Sequence, residues 1–140
     1  MPLHIGKFKQ VMLVIGIILL VVGLIMGGVY LIRNRVKEQG TVLVPEFSAE
    51  AKKGEVAFVT FCAGCHGKNA AGTDKGPPLV NQIYGPSHHG DFSFVRAVTF
   101  GVPQHHWLFG SMLPQPEVAR EEIDRIIVYL RELQRANGIQ

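Results

Sequence analysis

Cys62-Ala63-Gly64-Cys65-His66 is the stretch on which the fold turns. Its two thiols stand one helical turn apart, and an imidazole follows at once. Cys-x-x-Cys-His is the pattern that attaches haem c. Each thiol can form a thioether to a different vinyl-derived carbon of one porphyrin, and the adjacent histidine then falls under the iron. On this reading Cys62 and Cys65 hold the ring and His66 binds iron through Nε2. Three other readings compete for the same residues. A thioredoxin-type redox pair needs strands and a sheet, and no alternating strand of useful length is present. A zinc site can combine Cys62 and Cys65 with two of His88, His89, His105 and His106, but it gives no reason for the Cys-His adjacency. The last is a pair of incidental core cysteines. These two are the whole cysteine inventory of the 140 residues, which excludes a disulfide scaffold and a four-cysteine zinc or iron–sulfur site.

Working outward, Ser48 can cap a helix with Glu50 in its first turn, running through Ala51, Val56, Ala57 and Val59 to about Phe61. After the motif, the Gly/Asn/Asp/Pro-rich run from Gly67 to Pro78 reads as loop. Asp91 to Phe100 reads as a short helix, stopped by Gly101 with Pro103 beyond. Residues 102–116 read as loop. The last helix is expected to open at Pro116, with Glu117, Glu121 and Glu122 at its positive end and Arg125, Arg131 and Arg135 toward its C-terminus. Ile123, Ile126, Ile127, Leu130 and Leu133 fall on one face of it. The fold class expected is all-α: one N-terminal transmembrane helix plus a small, loop-rich domain at 48–140. With ~40 of ~95 residues in evident loops, such a domain has limited core to offset chain entropy. A large apolar cofactor would fill the middle.

Elimination picks a sixth ligand. Of four methionines, Met1 is the start and Met12 and Met26 lie in the apolar N-terminal run, leaving Met112 in Gly110-Ser111-Met112-Leu113-Pro114. The alternatives are a core methionine filling a gap, or a ligand from His88-His89 or His105-His106. With His66 and Met112 both bound, iron has no open position, and one-electron transfer is the chemistry left.

Val11 to Ile32 is 22 residues without a charge. At ~1.5 Å per residue it is ~33 Å long, against ~30 Å for a bilayer's hydrocarbon core. Its flank offers no small-x-small cleavage site, so the reading is an uncleaved anchor rather than a signal peptide, preceded by residues 1–10 and followed by a linker over 33–47. Gly23 and Gly27 form a small-xxx-small pair suited to another transmembrane helix. The net charge of +3 is unevenly split: residues 1–40 carry five basic side chains against Glu38, residues 41–140 nine basic against ten acidic. The soluble part has no basic stripe, and no nucleic-acid partner is expected. Basic residues flank the span on both sides, so charge alone does not orient it.

Over about residues 48–135 the chain resembles the class I (monohaem) cytochromes c. Lys53-Gly54-Glu55-x-x-Phe58 before the motif looks like that family's first helix, whose glycine and aromatic pack against the last. Gly76-Pro77-Pro78-Leu79 is similar to the family's loop, and the resemblance gives Pro77 the carbonyl that accepts from the ligand histidine's Nδ1–H. Met112, then Glu121-Glu122-Ile123 and Ile127-Val128-Tyr129-Leu130-Arg131, look like the ligand loop and C-terminal helix, although Leu113 separates Met112 from Pro114 where many members have Met-Pro. By the same resemblance Trp107 would hydrogen-bond a haem propionate, against simple core packing. The resemblance implies one covalent haem c, no catalysis, and a haem domain on the outer, periplasmic side of a bacterial inner membrane, with the N-terminus in the cytoplasm. It implies electron transfer from a quinol-oxidising complex to a terminal oxidase or reaction centre, as a tethered shuttle or fixed subunit. A haem-based sensor or catalytic haem with a labile sixth ligand is the opposing class.

Overall fold

In a computed structural model, the backbone is described for residues 3–38 and 41–140, and side chains for 8–31 and 41–140. The chain forms two units, 1–40 and 41–140. The first is a single helix, α1 (Leu3–Glu38), in which Phe8–Leu31 is long and apolar enough to cross a membrane, with a mean hydropathy of 2.9. A Cβ added at Gly23 or Gly27 would meet nothing within 4 Å.

The second unit is helical, and among its residues the only strand-like pairing is one isolated bridge, Val102 with Met112. α2 (Ala49–Phe61) starts where the Ser48 hydroxyl accepts from the Ala51 N–H. It gives way at Cys62 to the short α3 (Ala63–His66), which Gly67 ends at φ 76°. Two 3-10 turns follow, Lys68–Ala70 and Gln82–Tyr84. α4 (Asp91–Phe100) stops at Gly101, φ 74°, and α5 (Arg120–Ala136) closes the domain. α5 packs against both α2 and α4. Its apolar face, Ile123, Ile126, Ile127, Leu130 and Leu133, is buried with Tyr129 and Phe58 at the centre of the core.

Gly54 is where α2 and α5 come closest. A Cβ there would run into the backbone carbonyl of Arg125, so only glycine permits this crossing. One turn on, Phe58 lies 5.3 Å from the Tyr129 ring, which Phe47 also approaches at 5.1 Å.

Two boundaries differ from the sequence reading. α5 opens at Arg120 rather than Pro116, because Ala119 takes an extended conformation and its N–H donates to the Glu122 carboxylate at 3.1 Å. The reciprocal bond within the last helix's first turn outweighs proline's preference for that position. The stretch 33–47 does not behave as one linker. It is helical to Glu38, and Gln39 and Gly40 lie outside the described residues. Residues 41–47 are strapped onto the soluble domain. There the Leu43 N–H and carbonyl pair with the Asn137 amide, both at 2.8 Å, Val42 packs on the core and Phe47 is buried.

Candidate functional site

The site begins at the α2–α3 joint. The Cys65 and His66 N–H groups donate back to the Cys62 carbonyl, at 3.1 and 2.9 Å, so the two thiols are fixed one turn apart. Cys62 is half-buried and Cys65 exposed, and both are free. Burial, with the neighbouring Cys65, pushes the Cys62 thiol up to about 11. A thioredoxin-type nucleophile requires the opposite shift. Among the described residues neither thiol joins a cluster of metal-ligating atoms, which also removes the mixed Cys/His zinc reading.

His66 follows on the same short helix. Its Nδ1 lies 2.9 Å from the Pro77 carbonyl oxygen. A carbonyl only accepts, so Nδ1 carries the proton and Nε2 keeps its lone pair. Burial pushes the imidazole below its ordinary value, although the Pro77 bond pulls upward. The loop carrying Pro77 is folded onto the motif. Gly72 N–H donates to the His66 carbonyl at 2.7 Å, Thr73 N–H to the Gly76 carbonyl at 3.0 Å, and the Thr73 hydroxyl to the Cys65 carbonyl. Thr73 is a positioning residue that sequence reasoning missed, since only the folded loop shows which carbonyl its hydroxyl meets. Asn69 and Ala70, at φ 54° and 55°, take the left-handed conformation that lets this loop turn, and the Ala70 carbonyl accepts from Leu79 and Val80.

Met112 comes from the other side of the sequence. Its N–H and carbonyl both pair with Val102 at 2.9 Å, closing the 102–112 loop at its base, and its side chain packs on the core. Gly101 makes this possible: at φ 74°, a Cβ would stand 2.5 Å from the Met112 carbonyl oxygen. Within the loop, Trp107 Nε1 donates to the Tyr84 hydroxyl at 3.1 Å. The four loop histidines gather with one another.

The donor chemistry fits a haem c. Two unpaired thiols a turn apart can take the thioethers, the anchored imidazole presents Nε2, and a core-packed thioether sulfur is available from a loop pinned at its base. Fold and motif together define a small helical domain built for covalent haem. The chain belongs to the cytochrome c family, whose profile matches residues 51–134. It carries covalently attached haem c and is a haem-based electron-transfer protein. No curated protein and no solved structure matches the chain.

Proposed function

We propose that this protein is a membrane-anchored, class I monohaem cytochrome c that passes single electrons between membrane redox complexes, from a quinol-oxidising complex to a terminal oxidase or reaction centre. The observation that carries the reading is a Pro77-anchored imidazole at His66 in the haem-attachment motif, in a domain that also holds a core-packed Met112 whose loop is closed at its base. When bound, the haem supplies a one-electron Fe(II)/Fe(III) couple. His66 offers Nε2 as one axial ligand, with its ring orientation set by Pro77. Met112 offers sulfur as the other, and a soft thioether favours the reduced state and a higher potential. Cys62 and Cys65 hold the group covalently, so it is retained through each oxidation and reduction.

α1 anchors the chain in a bacterial inner membrane, N-terminus in the cytoplasm and haem domain in the periplasm. Lipid and the subunits of a redox complex are its partners, with Gly23 and Gly27 open to another transmembrane helix. Holding the domain at the membrane raises its effective concentration at those partners.

Met112→Ala tests the reading. The expected result is loss of the sulfur-to-iron absorption band, CO binding to the reduced protein, and a fall in potential of roughly 0.1 V or more, within the ~0.8 V that axial ligands govern. Unchanged band and potential in the variant would remove Met112 from the site. Avid CO binding by the native reduced protein would favour the labile-ligand class instead.

A further inference from the structure

Two histidine pairs far apart in sequence, His88-His89 ahead of α4 and His105-His106 in the Met112 loop, meet on the surface of the soluble domain. The His88 and His106 ring centroids are 5.4 Å apart, as are those of His89 and His106, and His105 lies 4.3 Å from His106. One ligand-capable nitrogen from each of His88, His89 and His106 lies within 4.8 Å of the other two. We propose that this cluster is a second metal site, distinct from the haem, that binds Zn²⁺ or Cu²⁺ through His88, His89 and His106, with His105 or water completing the coordination.

The donor set selects the ion. It is all imidazole, the ligand of zinc and copper, whereas calcium and magnesium require oxygen. Asp91, the acidic residue nearest in sequence to the first pair, has its Oδ1 engaged by Arg131 at 2.7 Å. His89 is already prepared as a ligand. Its Nδ1 donates to the Ile83 carbonyl at 2.6 Å, which fixes the ring and leaves Nε2 with the lone pair, the arrangement usual behind metal-bound histidine. His105 is held in the same way by the Pro103 carbonyl at 2.8 Å.

The backbone that brings the pairs together is also fixed. The His89 carbonyl accepts from Arg131 Nη2 at 2.6 Å. The other loop is closed by the Val102–Met112 bridge and cross-linked inside by Gln104, whose N–H donates to the Ser111 hydroxyl and whose Oε1 accepts from the Gly110 N–H. Tetrahedral coordination at 2.0–2.1 Å sets nitrogens about 3.3 Å apart, so closure needs a movement of at most about 1.5 Å. His88 and His106 are exposed and can supply it by side-chain rotation, while His89 stays in place. A bound ion would clip the Met112 loop to the turn before α4. The site itself does not depend on how the haem iron is ligated.

The test uses the tag-free, full-length holocytochrome in detergent. Calorimetric titration with ZnCl₂ and, separately, CuCl₂ is expected to show one saturable equivalent for at least one ion, and the ion that saturates at lower concentration names the site's preference. With Cu²⁺, the electron paramagnetic resonance spectrum is expected to show coupling to imidazole nitrogens. The double variant His88→Ala/His106→Ala is expected to lose at least about tenfold in affinity while the haem absorption spectrum stays unchanged. Absence of saturable binding by the native protein, or equal binding by the double variant, overturns the proposal. Should the variant misfold, the native protein decides: no saturable equivalent of either ion, or bound copper without imidazole nitrogen coupling, overturns it.

Discussion

Arg131 shows what one buried charged side chain does for this fold. It is 7% exposed. Its Nε donates to Asp91 at 2.7 Å, Nη1 to the Tyr84 carbonyl at 2.8 Å and to Gln134 Oε1 at 2.6 Å, and Nη2 to the His89 carbonyl at 2.6 Å. The guanidinium also sits 5.0 Å from the centroid of the Phe94 ring. The ion pair is the weaker part of this set, because the Asp91 side chain is 66% exposed and its attraction is screened. The His89 carbonyl and Gln134 Oε1 are the stronger part, since they lose their partner if the guanidinium goes, whereas the Tyr84 carbonyl keeps Gln134 Nε2 at 3.1 Å. Arg131→Met is therefore expected to cost about 3 kcal/mol in denaturant unfolding. Asp91→Ala is expected to cost under about 1 kcal/mol. Equal losses would mean that the charge pair, not the satisfied carbonyls, is what matters. In the sequence Arg131 is indistinguishable from Arg125 and Arg135, all three reading as charges that suit a helix C-terminus. What separates it is the 84–91 segment folding over it, a non-local event that residue type does not record. Pro77 differs, because the resemblance of Gly76-Pro77-Pro78-Leu79 to the cytochrome c loop already implies its role, and its carbonyl stands 2.9 Å from His66 Nδ1.

At the scale of elements, the α2–α5 crossing sets the frame from which the haem-attachment motif projects. Gly54→Ala puts a methyl group against a backbone carbonyl that cannot rotate away, and a loss of about 2–3 kcal/mol is expected from thermal or denaturant unfolding. The same pair of helices is tied at its other end by Ser48, whose hydroxyl and N–H donate to the Glu132 carboxylate at 2.7 and 3.0 Å. Burial raises the Glu132 carboxyl, but the two Ser48 bonds, with Arg135, bring it below its ordinary 4.5. A depressed carboxyl contributes stability that is fully present above pH 4.5 and is lost as pH falls through its folded value. Native protein is thus expected to exceed Glu132→Gln in stability at neutral pH, by about 1 kcal/mol or less for so exposed a pair. The gap should close on acid titration below pH 4.5, and a gap constant to pH 3 would contradict the assignment. Much of this level was legible in the sequence. Ser48, the Gly101 stop and the apolar face of α5 are local signals carried by capping and 3.6-residue spacing, and the motif names its own chemistry. The start of α5 was not, because the Glu122–Ala119 bond competes with a proline signal of similar strength. Nor was the His88/His106 meeting, which requires two loops to converge.

At the scale of the whole molecule, the division into two units separates the long apolar helix from the haem domain, and the second unit has its own core. A chain of residues 41–140 is therefore expected to remain in solution without detergent and to keep the native haem spectrum. Where that domain begins is the point on which sequence and structure part. Val42-Leu43-Val44 followed by Pro45 looks like tether, because a short extended strap has no periodicity to reveal a buried side. Yet Phe47 fills the core beside Tyr129, and Asn137 holds both backbone groups of Leu43. Removing a buried phenylalanine side chain costs about 3–5 kcal/mol, and the Asn137 amide would lose both partners on Leu43. A chain beginning at residue 48 keeps the Ser48 cap and every haem-binding residue, so it should still carry haem, but its thermal midpoint should fall by roughly 12–40 °C relative to 41–140, at ~4–8 °C per kcal/mol for a domain of this size. Phe47→Ala in the longer chain should reproduce most of that fall. If 48–140 melts with 41–140, the strap adds nothing and the domain starts at α2. If it melts far below, residues 41–47 belong to the haem domain.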